Sequence, residues 1–301
     1  MKIIFCSDPT SPDNPDSIYI DEVAAATRAG IQFLLLDYEA LADRNNAARA
    51  VRDIPVHQTL ETAVYRGWHL STRQYAALYD ALRSRGIQLI NNVQQFKNTQ
   101  HLPQSYPIIK EKTPRSVWME TDGKVAYEAI MQVLIPFYGQ PLILRDYAQT
   151  EKHYWNQACY ISSASDSAAV RNTVGNFLKL RGKKLEGGLV FREFVDFEML
   201  TDSSPSVGMP LIKEYRIFYM NNLPVTTVHY WNSKDYEATN EPDPDLFRAI
   251  ARQVRSRFFT MDVAQSTDGE WLIIDLGDAQ IANLPVMADL DAVYHALAGA
   301  H

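Results

Sequence analysis

The sequence predicts an α/β region followed by a mixed α+β region, and three observations carry that reading. The first hundred residues alternate short apolar strands with amphipathic helices, the pattern of a parallel sheet covered on both faces. After Pro103-Gln104-Ser105-Tyr106-Pro107 the strands lengthen and later follow one another directly, so antiparallel sheet predominates. The length, 301 residues, suits one large domain or two moderate ones. We therefore divide the chain into 1–108 and 109–301.

In the first region, Lys2 to Cys6 reads as a buried strand, followed by a turn-rich stretch from Asp8 to Asp16 that holds three prolines. Ser17 caps a helix that Gly30 ends, and Ile31 to Leu36 is the second strand. Ala63 to Tyr65 is the third. Ser71 then caps a helix through Arg85, with Tyr75, Leu78, Tyr79 and Leu82 on one face and Gly86 as terminator. Ile87 to Ile90 is the fourth strand, and Val93 opens another helix.

In the second region, strands are expected at Ser116–Glu120, Pro141–Arg145 and Ala158–Ile161, with helices at Lys124–Tyr138 and from Ser165 to Leu180. Longer strands follow at Leu189–Phe197, Ile212–Met220 and Val225–Trp231. Glu241-Pro242-Asp243-Pro244-Asp245 opens a helix to Ser256, and Phe258–Ala264 with Trp271–Asp275 forms a hairpin across Asp268-Gly269.

Composition narrows the function classes. Hydrophobic residues at 46% and charged residues at 22% are those of a folded chain and argue against disorder. Lys and Arg number 29 against 36 Asp and Glu, a net charge of −7. That balance counts against non-specific nucleic-acid or membrane-surface binding, though not against a local basic cleft. Cys6 and Cys159 are far apart and belong to no Cys/His cluster, so neither a disulfide framework nor a structural zinc site is indicated. With no signal-peptide pattern and no long apolar span, a soluble, cytoplasmic protein is expected.

Four segments can carry chemistry. The first is Phe259-Thr-Met-Asp262 with Ile274-Asp275-Leu-Gly277-Asp278, where three carboxylates lie at the ends of neighbouring strands. They either share a hard cation such as Mg²⁺ or serve as turn and cap formers. Alternation places Asp262 on the face opposite Met261 and Val263. The second is Arg145 to Trp155, in which Arg145 and Lys152 flank a polar loop; they either hold a polyphosphate or face water. The third is the apolar strand leading out of Gly187-Gly188 through Phe191-Arg-Glu193-Phe194-Val195. The fourth is Glu214-Tyr-Arg216, with both charges on one strand face, forming an ion pair or touching a sugar or phosphate. Neither a Walker A motif nor G-x-G-x-x-G occurs, which removes the P-loop and dinucleotide cradles.

In this order the four segments resemble the ATP-grasp superfamily, in which two α+β subdomains grip ATP behind an N-terminal Rossmann-like pre-domain. Phe191-Arg-Glu-Phe-Val195 is similar to the hinge strand, Glu214-Tyr-Arg216 to the acidic-x-Arg strand of the ribosomal-protein glutamate ligases, and Asp262 with Asp275 to their paired metal strands. Tyr65-Arg66-Gly-Trp68, Lys152-His153-Tyr-Trp155, Gly187-Gly-Leu-Val-Phe-Arg-Glu-Phe194 and Gly277-Asp-Ala-Gln280 resemble an ATP-grasp clade named for one arginine and two lysines. The chain departs from the wider pattern where Arg145 replaces a lysine, where Asp275-Leu276-Gly277-Asp278 replaces Glu-x-Asn, and where Gln149-Thr-Glu-Lys-His153 replaces a glycine-rich flap.

The resemblance implies an ATP- and Mg²⁺-dependent ligase joining a carboxylate to an amine or similar nucleophile through an acyl phosphate. It assigns Mg²⁺ to Asp262, Asp275 and Asp278, and phosphates to Arg145, Lys152 and Lys97. Adenine falls to Glu193, Phe194 and Val195, and ribose to Glu214. Arg216 is the candidate for stabilising the transferring group. Arg66, after a buried strand, is expected to contact substrate or phosphate; the alternative is a stack on Trp68 or an acidic partner. His153 is a phosphate contact, a proton carrier or a hydrogen-bonded loop residue. A non-catalytic nucleotide sensor, a kinase and a nucleic-acid end-modifying ligase are the competing functions.

Overall fold

The computed structural model describes residues 1–200, 209–238, 241–285 and 288–300. Among the described residues three four-stranded sheets organise the fold, each with its own core.

The first sheet is wholly parallel, in the order β2-β1-β3-β4, from Lys2–Cys6 (β1), Gln32–Leu36 (β2), Glu61–Arg66 (β3) and Ile87–Leu89 (β4). Ile3, Ile4, Phe5 and Cys6 are all buried, as an interior strand covered on both faces requires. The first expected helix is split into a single 3-10 turn and α1 (Ile20–Arg28), and Asp16, not Ser17, caps the turn. Two short helices, α2 (Tyr38–Ala42) and α3 (Ala47–Ala50), precede α4 (Thr72–Arg83). Ser71 caps α4 in a capping box closed by Gln74. Helices α5 (Val93–Gln100) and α6 (Leu102–Ile109) lead out of this region.

The second sheet is antiparallel, in the order β5-β8-β6-β7, from Ser116–Glu120 (β5), Leu142–Asp146 (β6), Tyr160–Ile161 (β7) and Gly188–Glu193 (β8). Leu142, Leu144, Leu189 and Phe191 share a core with residues of α7 (Tyr127–Val133) and α8 (Ser167–Arg181). Trp155–Cys159, partly expected as strand, instead forms a π turn. Its buried residues Trp155, Ala158 and Cys159 recur at helical spacing. The glycine pair is sterically required. Gly187 has φ +73° and a Cβ there would meet the Tyr147 ring at 2.1 Å, while one on Gly188 would meet the Met119 carbonyl of β5 at 2.1 Å.

The third sheet, also antiparallel, runs β10-β9-β11-β12 from Glu214–Met220 (β9), Leu223–His229 (β10), Phe258–Gln265 (β11) and Trp271–Asp278 (β12). A two-residue turn, Asn221-Asn222, joins β9 to β10 with both φ angles positive. The helix expected from Glu241 to Ser256 is reduced to a 3-10 turn and α9 (Arg248–Ala251). One face of the sheet buries Tyr215, Ile217, Tyr219, Phe259, Met261 and Val263. The other face is divided: Phe218, Met220 and Phe258 pack into the core of the first sheet, while Glu214, Arg216, Thr260 and Asp262 line a cleft.

The division at residue 108 does not describe the packing completely. The last helix, α10 (Leu290–Ala298), returns to the first region, where Val293, Tyr294 and Leu297 join the core of the first sheet. Among the described residues no helix is long and apolar enough to cross a membrane.

Candidate active site

A cavity of about 710 Å³ lies between the second and third sheets. Ile143, Phe194 and Met209, packed on the core of the second sheet, give it an apolar wall. Its polar wall comes from both sheets, because alternation on β6 and β8 sends Leu144 and Phe191 to their own core while Arg145 and Arg192 face the third sheet.

Strand register builds a charged row. Asp262 on β11 stands opposite Arg216 on β9 and Asp275 on β12. Arg216 forks onto Asp262, its Nε 2.7 Å from Oδ1 and its Nη2 2.8 Å from Oδ2. Arg145 crosses from the second sheet to donate Nη1 to Asp275 Oδ2 at 2.6 Å and Nη2 to the Ala148 carbonyl at 2.7 Å. A register shift between Asp262 and Val263 makes this row possible. Two residues of β12 answer one of β11 there, so Ile273 enters the core while the next two residues, Ile274 and Asp275, both line the cavity.

The electrostatics follow from burial among charges. Burial pushes the Glu214 carboxyl up to about 8, helped by the Asp262 carboxylate and opposed by Lys152 and Arg216. Burial pulls the Arg216 guanidinium down, but Asp262 outweighs it and holds the group above its ordinary value. Lys152 behaves alike: burial lowers it, yet Tyr230 and Glu214 leave it raised. Arg192 is lowered to about 10, chiefly by burial, and ties the sheets together by donating Nη2 to the Ile273 carbonyl at 3.0 Å and to Thr113 Oγ1 at 2.6 Å.

Ten of the sequence-derived site residues line this cavity: Arg145, Lys152, Glu193, Phe194, Val195, Glu214, Arg216, Asp262, Asp275 and Asp278. Asp278, however, is already engaged by other side chains of the protein. Its buried carboxylate accepts from Asn91 Nδ2 at 2.7 Å and from Gln280 N and Nε2, both at 3.0 Å, and burial raises it to about 6. Arg66 is not at the cavity. It is buried against Glu22, donating at 2.8 and 3.0 Å, and against the carbonyls of Ala279 and Ala282, so its acidic-partner alternative is the one observed. Lys97 does not line the cavity; Gln100, nearly one turn later on α5, does. His153 is exposed on the turn whose neighbour Lys152 lines the cavity.

Residues that sequence reasoning missed complete the wall. Tyr230 lies between two cations, with Lys152 Nζ 3.3 Å from its hydroxyl and the Arg216 guanidinium 4.6 Å from its ring centroid. Its position at the end of an expected strand, close in register to Arg216, was the available signal. Arg192 and Thr260 were hidden in apolar strands. Among the described residues no group of three or more His, Cys, Asp or Glu is set to hold a metal. Asp262 and Asp275 are instead each paired with an arginine, and Asp275 Oδ1 is buried without a hydrogen-bond partner.

Comparison with known proteins agrees with this architecture. Similar solved structures include D-cycloserine synthetase DcsG, at 14% identity and TM-score 0.60, covering 100% of this chain and 99% of that one. A RimK domain ATP-grasp protein from Sphaerobacter thermophilus gives 13% identity and TM-score 0.60, covering 99% and 98%. The ATP-grasp ligase PsnB, complexed with a minimal precursor, Mg and ADP, gives 12% and 0.53, covering 98% and 96%. No curated protein matches the sequence significantly. Residues 137–297, more than half of the chain, match the family described as ATP-grasp domain, R2K clade family 3. Four-stranded antiparallel sheets facing each other across the charged cleft, and this match over most of both, place the chain in the R2K clade of the ATP-grasp family.

Proposed function

We propose that this chain is an ATP- and Mg²⁺-dependent ligase that activates a carboxylate as an acyl phosphate and joins it to an amine or similar nucleophile. The observation that carries the reading is the row Arg216–Asp262–Asp275–Arg145, contributed by both sheets and sharing one cavity with Lys152 and residues 193–195. Two carboxylates on adjacent strands, one with an unpartnered buried oxygen, form a hard-oxygen donor set that fits Mg²⁺. Asp262 and Asp275 would hold it, and when bound it would neutralise phosphate charge. PsnB, a protein of the same fold, was solved with Mg and ADP.

The chain's own residues then have distinct tasks. The backbone of Glu193, Phe194 and Val195 meets the adenine edge, and Glu214 accepts from the ribose hydroxyls. Lys152 and Arg145 neutralise the phosphates, Arg145 as a fork and Lys152 as a point charge. Arg216 stabilises the γ-phosphoryl group while a substrate carboxylate oxygen attacks its phosphorus and the bond to the β–γ bridging oxygen breaks. The amine then adds to the acyl carbon, phosphate leaves with the C–O electron pair, and the amine proton passes to solvent. Positioning and charge neutralisation are what phosphoryl transfer needs from a protein.

The test is release of ADP and phosphate with a panel of acids and amines. Asp275→Ala should abolish Mg²⁺-dependent turnover while leaving the fold intact, and full activity in that variant would sink the assignment. Tight ATP binding without turnover across the panel would instead favour a nucleotide sensor.

A further inference from the structure

With Asp278 hydrogen-bonded to Asn91 and Gln280, the candidate cation site rests on the paired carboxylates Asp262 and Asp275. A third oxygen lines the same cavity two positions along β11. Thr260 is fully buried on β11 opposite Gly277 of β12, and its hydroxyl has no hydrogen-bond partner. A Cβ built on Gly277 would lie 2.7 Å from Thr260 Oγ1, so the hydroxyl occupies the notch that the absent side chain leaves. The same Cβ would lie 3.7 Å from Gln100 Nε2, which closes the notch from α5. Two positions along β11 stands Asp262, opposite Asp275 with its unpartnered Oδ1. Thr260, Gly277, Asp262 and Asp275 all line the one cavity.

Buried hydroxyls are almost always hydrogen-bonded, so two orphaned oxygens on adjacent strands call for a common partner. Water could satisfy either, but a hard cation satisfies both while also neutralising the carboxylates. Mg²⁺ takes near-octahedral oxygen ligands and accepts neutral ones beside its waters. We propose that Thr260 Oγ1 is a neutral ligand of the Mg²⁺ site, supplying from β11 the oxygen that position 277 of β12 lacks. The proposal rests on the reading of Asp262 and Asp275 as the carboxylate ligands. The hydroxyl keeps its proton, so it adds a donor oxygen to the site without adding a third negative charge.

The experiment is Mn²⁺ binding in the presence of ADP, read from the electron paramagnetic resonance signal of free Mn²⁺. Thr260→Val, nearly isosteric but without the oxygen, should weaken Mn²⁺ roughly ten- to a hundredfold. Thr260→Ser should stay within a few-fold of the native chain, and metal-free ADP affinity should not change in either. Thr260→Ala with Gly277→Asn moves the oxygen donor to the other strand and should restore Mn²⁺ affinity; it carries the test if Thr260→Val does not fold. Native Mn²⁺ affinity in Thr260→Val, or a hundredfold loss in the folded double variant, would overturn the proposal while leaving the carboxylate reading intact. Equal Mn²⁺ binding by the native chain and Asp275→Ala would overturn both.

Discussion

Arg66→Met separates a structural from a catalytic role for the most deeply buried arginine. Its guanidinium is 1% exposed and donates Nε to Glu22 Oε2 at 2.8 Å, Nη2 to Oε1 at 3.0 Å, and Nη1 to the carbonyls of Ala279 and Ala282. Methionine fills similar volume but leaves the Glu22 carboxylate with Tyr294 Oη, at 2.6 Å, as its remaining donor. Removing one partner of a buried ion pair costs about 3–5 kcal/mol, and each stranded carbonyl adds up to about 1–3 kcal/mol before relaxation. Because these contributions overlap, we expect a loss of about 3–6 kcal/mol. With an m-value of roughly 3 kcal/mol/M that is a shift of about 1–2 M in the urea midpoint, read from tryptophan fluorescence. Arg66→Met with Glu22→Gln should regain part of the loss, since the neutral amide removes the unpaired charge while still accepting from Tyr294. Turnover of the folded single variant should stay within a few-fold of native. A destabilisation below about 1 kcal/mol combined with a hundredfold loss of turnover would refute the structural assignment and restore the catalytic one.

Three further outcomes follow from the cleft. The native Glu214 carboxyl, near 8 against an ordinary 4.5, holds a proton that the unfolded chain has released, so stability should fall as pH rises from about 4.5 to 8. Glu214→Gln should flatten that fall in urea midpoints taken at several pH values, and identical slopes would contradict it. Lys152→Ala removes a charge-assisted contact of about 1.5–3 kcal/mol and should weaken ATP roughly ten- to a hundredfold by calorimetry; unchanged affinity would return Lys152 to a solvent role. Arg145→Lys retains the attraction to Asp275 but loses the fork to the Asp146 and Ala148 carbonyls. A cost of about 1–2 kcal/mol should lower the melting temperature by a few degrees, and an unchanged or higher one would show the fork to be dispensable.

The parts of the fold that depend on local pattern were legible. β1, β2 and β4 are short apolar runs bounded by turns, and on β9 and β11 alternation correctly separated Glu214, Arg216 and Asp262 from the core residues between them. What depends on a distant partner was not. The β12 bulge that turns Asp275 into the cleft exists only in its pairing with β11. Arg66 reads as a strand-end cation until Glu22 and Tyr294, far away in sequence, are folded against it. The Asp278 carboxylate is consumed by Asn91 from the first region, a contact no spacing rule reveals. Lys97 and Gln100 share a helix, and only the pose of α5 decides which one reaches the cleft.

The pairing in the cleft explains how an acidic chain can receive a polyanion. Arg216 with Asp262 and Arg145 with Asp275 are each neutral as pairs, and burial pushes Glu214 towards its neutral form against the pull of Lys152. The net charge of −7 therefore says little about the potential at this site. On the proposed reading, nucleotide and cation enter by partner exchange: phosphate oxygens take the guanidiniums and the cation takes the released carboxylates. Arg216, Asp262, Arg145 and Asp275 each keep an opposite partner throughout, whereas a stranded buried charge costs several kcal/mol. Nucleotide alone would strand Asp262 and Asp275, and cation alone would strand Arg145 and Arg216. Either ligand thus leaves the site in the state that the other completes. Their affinities must rise together and by equal factors, because coupling between two bound ligands is reciprocal. A lysine in place of Arg145 would weaken this exchange, since one ammonium cannot hold Asp275 and the loop carbonyls in the free state and then offer a fork to phosphate. On that reading the arginine that departs from the superfamily's lysine is the group that links the loop of the second sheet to the carboxylate of the third.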